Sequence, residues 1–243
     1  MNKTISQIKD EFFLFQVKEL MKKMAKTVIR YGISDKEMEK LFFNAKQLDL
    51  DQVVVAPAFL PACIKQVSKL EDGFKVGVIV DFPFGESSIK SKLASIKECV
   101  KKGVDDVTVM MPSLLVSKEN IKQFKKQSAK IAKAYKGFVG IALNATDLSE
   151  EQIKWAVRSV NKTKLAFITF VFGTASLEEV KSKMSVVNKY KADKKIFALA
   201  NVDTAEGIMA LFTNGVDKIL TPYADQIGEQ LIERFRVKSV KLK

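Results

Sequence analysis

Short apolar runs alternate with amphipathic stretches along the whole chain, and this alternation limits the fold more than any other feature. The runs are "AKTVIR" (25–30), "QVVVA" (52–56), "KVGVIVDF" (75–82), "DDVTVMM" (105–111), "GFVGIALN" (137–144), "LAFITFV" (165–171), "KIFALA" (195–200) and "VDKILT" (216–221). Each is too short for a buried helix, and most are rich in Val, Ile or Phe, as strands covered on both faces are. Between them the spacing predicts helices at about 34–48, 60–70, 87–102, 118–135, 149–161, 175–191, 204–214 and 224–235. Ser34 with Glu37, and Ser149 with Gln152, have the spacing of capping boxes, in which each side chain satisfies a free N–H of the first turn. Asp203-Thr204 reads as a further cap, and Gly103 and Gly215 lie just past helix ends, where a left-handed residue is needed.

Strict alternation over 243 residues predicts a single α/β domain, a (β/α)8 TIM barrel over 24–236 preceded by an extra N-terminal helix over 1–23. A doubly wound open sheet is the alternative, but no GxGxxG or GxxxxGK[ST] follows an early strand. Phe12, Phe13 and Phe15 are too close in sequence to share one helix face. The first helix is therefore expected either to lie over the barrel's lower end or to join subunits of a homo-oligomer.

Composition removes whole classes of chemistry. The chain has no histidine, which excludes Ser–His and Cys–His nucleophile pairs and His-ligated zinc. Cys63 and Cys99 are isolated, too few for a thiolate zinc site, and read as packed thiols; no metal and no cofactor is expected. The formal charge is +13, yet only Arg30, Arg158, Arg234 and Arg236 are arginines. Lysines along helices read as solvated faces, so nucleic acid is not the expected partner. No apolar run has the length of a membrane span, and the first residues show no secretion signal, so a cytoplasmic location without membrane contact is expected.

In such a barrel the reacting groups stand at the C-terminal ends of the strands. The polar residues there are Thr27, Asp81, Thr108, Asn144, Thr169, Asn201, Asp203 and Tyr223, the candidates for a pocket that takes a small molecule. Lys75, Lys136, Lys164, Lys194, Lys195 and Lys218 fall at strand starts, at the other end. Lys26 alternates with Thr27 and is expected to face the helices, which leaves no ammonium group in the upper cavity. Asp81 and Asp203 could converge there to hold Mg²⁺ or to act as acid and base. The local alternative is a turn role for Asp81 and a helix-cap role for Asp203.

Several of these runs resemble the deoxyribose-phosphate aldolases in order and spacing. "MAKTVIRYGISDKEMEKL" is similar to that family's opening strand and turn, I-D-H-T-L-L-K-P. "VGVIVDFPFGESSI" keeps F-P-x-G as Phe82, Pro83 and Gly85, and "GVDDVTVMMP" resembles G-A-D-E-V-D-x-V-x-P. "FITFVFG" is similar to F-I-K-T-S-T-G, and "NVDTAE" to G-G-I-R-T-A-E; the likeness runs from about residue 24 to 222. It implies a class I aldolase barrel whose functional groups have changed. The family's Schiff-base lysine falls on Thr169, its relay aspartate on Thr108 and its second lysine on Phe197. Its first-strand aspartate falls on Ala25 and its fifth-strand glutamate on Asn144. "ILTPYA" replaces the phosphate loop, leaving Gly173 as the remnant of phosphate contact. A threonine cannot form an imine, so the resemblance implies an inactive barrel kept for binding, structure or regulation. The alternative is a carbon–carbon lyase acting on a small carbonyl or sugar through other residues, such as Asp81 and Asp203.

Overall fold

Every apolar run becomes a strand, and every strand pairs in parallel with the next. The computed structural model describes residues 15–29, 32–70 and 73–240. A helix over 15–21 (α1) leads into β1 (Met24–Val28), α2 (Asp35–Gln47), β2 (Gln52–Val55), α3 (Leu60–Val67), β3 (Lys75–Val80) and α4 (Ile89–Lys101). Then come β4 (Asp106–Met110), α5 (Ile121–Ala134), β5 (Phe138–Asn144), α6 (Glu150–Val160), β6 (Phe167–Gly173) and α7 (Leu177–Tyr190). The chain ends with β7 (Lys195–Ala200), α8 (Ala205–Thr213), β8 (Lys218–Thr221) and α9 (Ala224–Val240). β1 pairs with β8 through Ala25 and Leu220, which closes the barrel. The architecture is the (β/α)8 barrel that the alternation predicts.

Local chemistry explains the element ends. Both capping boxes form, at Ser34–Glu37 and Ser149–Gln152. Thr204, not Asp203, caps α8, because its side chain accepts from the Gly207 N–H. Gly103 and Gly215 take φ of 86° and 85° past α4 and α8. α9 runs five residues beyond the predicted end at 235, since no Gly or Pro follows Gly228 to stop it. Phe12 and Phe13 lie outside the described residues; in α1, Val17 and Met21 are buried and Phe15 is exposed.

Two-residue alternation divides the strand side chains between two cores. Val53, Val55, Val78, Val107, Ile141 and Phe170 face the helices. Ala25, Val54, Ile79, Met110, Ala142 and Leu220 fill the barrel. Phe138, Phe167 and Phe197 stack across the barrel interior, with successive centroids 4.9 and 4.4 Å apart. Gly140 makes room for them: a Cβ there would lie 2.3 Å from the Phe167 ring.

Below this aromatic layer the strand starts are stitched by charge. Asp105 accepts from the Val76 N–H at 2.8 Å, and Asp217 from the Ile196 N–H at 2.7 Å. Asp51 pairs with both Lys75 and Lys218. Gln52 Nε2 donates to the buried carboxylate of Asp106. Burial pushes the Asp106 carboxyl up to about 6, against the pull of Gln52 and Lys218. A lower cavity of about 590 Å³ opens here, lined by these groups with Phe138 and Phe197.

Candidate functional site

A cavity of about 710 Å³ opens at the other end, where the strands terminate. Its floor is apolar: Val171 of β6, Leu199 of β7 and Phe82 after β3. Thr27, Gly173 and Asn201 border it from the strand ends. The cavity then spreads over β1 toward α2, whose Glu37, Lys40, Leu41 and Asn44 line its far wall. These four positions follow i, i+3, i+4, i+7 spacing and so share one helix face. Lys26 and Asp225 complete the wall between β1 and α9.

Only part of the sequence-derived set meets here. Thr27, Asn201 and Gly173 line the cavity; Asp81, Thr108, Asn144, Thr169, Asp203 and Tyr223 do not. Asn144 is tied into its own turn, donating to Asp147 at 2.7 Å and accepting from Thr146 at 3.0 Å. Tyr223 is partly exposed, and its backbone N–H donates to Thr221 Oγ1 at 3.2 Å. Thr108 and Thr169 are buried within the barrel wall. Thr169 is paired in register with Ala142 and Phe197, and its Oγ1 is buried without a hydrogen-bond partner.

Asp81 is a loop anchor. It has a positive φ of 63° and accepts from the Ser87 N–H at 2.9 Å and the Ser87 hydroxyl at 2.7 Å. The ammonium of Lys92, fully buried in α4, completes its shell and also donates to the Gly85 carbonyl at 2.7 Å. Partial burial would raise the Asp81 carboxyl, but Lys92 and Ser87 together hold it below the usual carboxylate range. Asp203 is exposed on the β7–α8 loop, and its carbonyl accepts from Gln230. Among the described residues no group of three or more acids and thiols is placed to share a metal.

One expectation is corrected. Lys26 does leave the barrel interior, as alternation requires, but its side chain still reaches the upper cavity, and Lys40 reaches it from α2. The cavity extends past the strand rim onto the outer face of β1, which residue alternation cannot reveal. Lys26 Nζ is ion-paired with Asp225 and donates to the Pro222 carbonyl at 2.5 Å. An ion-paired ammonium has no lone pair with which to attack a carbonyl.

Sequence reasoning missed Lys92. The signal was present, because Lys92 shares the apolar spacing of Ile96 and Cys99 on α4. A lysine on the buried face of a helix needs a partner, and Asp81 supplies it. Lys183 of α7 acts similarly, donating to the Ala145 and Leu148 carbonyls at 2.6 and 2.8 Å. At this end of the barrel, Lys26, Lys92 and Lys183 are bound to loop carbonyls.

No family model matches the chain. It is 26% identical over 204 residues to the deoxyribose-phosphate aldolase of Thermoanaerobacter sp. (strain X514), covering 79% of this chain and 88% of that one. It is 27% identical over 219 residues to the deoxyribose-phosphate aldolase of Mycoplasmoides pirum, covering 86% of this chain and 96% of the relative. The fold superposes on the tetrameric deoxyribose phosphate aldolase of Aeropyrum pernix with a TM-score of 0.77 at 16% identity, over 94% of this chain and 96% of that one. The chain is thus deoxyribose-phosphate aldolase-like in sequence and fold.

Proposed function

We propose that this chain is an aldolase-like barrel that does not carry out covalent aldol chemistry and keeps its upper cavity to bind a small molecule. The observation that supports this most is the packing around β6 and β7. Where the resemblance implies two lysines, the barrel holds a buried, unpartnered Thr169 hydroxyl beside a Phe197 ring stacked on Phe167. An imine needs an amine, and a proton relay near neutral pH needs a group that titrates there. Thr169 and Thr108 are neither.

The ligand reading rests on Thr27, Asn201, Asn44 and the Lys26–Asp225 pair around an apolar floor. Such a wall suits a small polyol or zwitterion with one apolar side. A cytoplasmic homo-oligomer belongs to the same reading, supported by the tetrameric Aeropyrum pernix neighbour and by two free buried cysteines. The test is cleavage of deoxyribose 5-phosphate, followed as acetaldehyde release. No release above a buffer control is expected; turnover by the purified chain contradicts silence.

A second reading has one specific observation behind it: Lys26 lines the cavity. A carbon–carbon lyase could use this amine if ligand binding displaced Asp225. Asp81 is less suited to it, being bound to Ser87 and Lys92 away from the cavity.

A further inference from the structure

The fold gathers lysines that look dispersed in the sequence. Residues 86–136 hold twelve lysines and five acids, so about a fifth of the chain carries seven of its thirteen excess positive charges. α4 and α5 pack side by side in this sector. Lys90, Lys97 and Lys101 of α4 are exposed at positions that share one face, and Lys122, Lys125, Lys126, Lys130 and Lys133 of α5 are exposed beside them. α5 contains no acidic residue, and Glu98, the one acid of α4, is paired with Lys102. The remaining acids of the span are Glu86 and Glu119 in the upper loops and Asp105 and Asp106 at the lower end. Neither helix carries an acid in its first turn, whereas α2, α6, α7, α8 and α9 all do. The positive ends of these two dipoles are therefore not offset from within.

The same corner exposes apolar bulk. Among the described large hydrophobic residues, Phe84 and Leu114 have the highest exposure, 72% and 63%. One precedes α4 and the other α5, so both stand at the upper end of the lysine face. The two loops meet at Gly85, next to Phe84: the Gly85 backbone packs so tightly on Met110 and Met111 that a Cβ would lie 2.7 Å from the Met111 carbonyl carbon.

We propose that the α4–α5 corner is a docking surface for anionic lipid headgroups, with the lysines on the headgroups and Phe84 and Leu114 at the acyl boundary. Charge complementarity selects an anionic partner. The face is formed by two helices and has lysine point charges without arginine forks. Phe124 of α5 is buried and Phe84 stands at the upper end of the face, so no aromatics are interleaved with the lysines to stack successive bases. An exposed Phe and Leu beside a polybasic face suit a lipid interface, where apolar insertion adds to the charge attraction. No described helix is long and apolar enough to cross a membrane, so the contact, which departs from the sequence-based expectation of no membrane partner, is peripheral.

The test is co-sedimentation of the full chain with vesicles of phosphatidylcholine alone or with roughly a third phosphatidylserine. Binding is expected to the anionic vesicles only, and it should fall steeply with salt. Replacing Lys125, Lys126 and Lys130 by Gln should weaken partitioning about a hundredfold. Phe84→Ser should weaken it roughly tenfold, since one ring leaves the boundary. Replacing Lys162, Lys164 and Lys181 by Gln, elsewhere on the surface, should leave it unchanged, and circular dichroism checks that each variant folds. Equal binding to neutral vesicles, no binding at low salt, or equal loss in the control variant overturns the proposal. Tighter binding to single-stranded or duplex DNA than to anionic vesicles overturns the lipid assignment.

Discussion

The two ends of this barrel use charge in opposite ways. At the lower end carboxylates and ammonium groups meet each other and the edges of neighbouring strands: Asp105 on Val76, Asp217 on Ile196, and Asp51 between Lys75 and Lys218. At the upper end Lys26, Lys92 and Lys183 hold loops in place, and the cavity floor is hydrocarbon. The aromatic layer of Phe138, Phe167 and Phe197 lies along the barrel interior. A lysine near a strand's C-terminal end is therefore not by itself a nucleophile. What matters is whether its ammonium is already committed, and here each of these three is.

The largest expected effect comes from the upper staple. Lys92→Met leaves the half-buried Asp81 with Ser87 alone and should cost about 3 kcal/mol, measured by urea unfolding, because the buried ammonium's bonds to Asp81 and to the Gly85 carbonyl are both lost. A loss below about 1 kcal/mol would mean that the pair does not hold the β3–α4 loop.

The lower end should respond to pH with the opposite sign from Asp81. The Asp106 carboxyl is raised to about 6, so the folded chain binds that proton more tightly than the unfolded chain. Stability should fall as pH climbs from about 4 to about 6 and stay reduced above that. Asp81, held low, stabilises above the usual carboxylate value, and its contribution is lost as pH falls through its folded value. Asp106→Asn should abolish the decline between pH 4 and 6 and gain about 2 kcal/mol at neutral pH. An unchanged slope in thermal melts across that range would place the titration elsewhere.

A smaller effect tests Thr169. Thr169→Val keeps the shape and removes a buried hydroxyl that has no partner, so urea unfolding should show a gain of about 1 kcal/mol. A clear loss would show that the hydroxyl is used.

Much of the fold was legible because it rests on local chemistry. Eight runs of strand length and two capping boxes at Ser34 and Ser149 suffice to specify a barrel's element order. The cavity lining was legible from strand position at Thr27 and Asn201, while Gly173 was singled out only by the family resemblance. Asp81 and Asn144 were assigned by proximity to strand ends, but loop geometry turns their polar groups to partners such as Ser87 and Asp147, and Tyr223 does not line the cavity. Lys26 shows the other limit. Its outward direction follows from alternation, whereas the cavity's spread toward α2 depends on how far that helix stands from β1.

The measurement that bears most directly on the loss of covalent chemistry is borohydride reduction of the chain mixed with deoxyribose 5-phosphate, read by intact mass and peptide mapping. The expected spectrum shows the unmodified chain. A reduced adduct on Lys26, on Lys40 or on any other lysine of the barrel mouth would contradict the claim that this chain has lost covalent aldol chemistry.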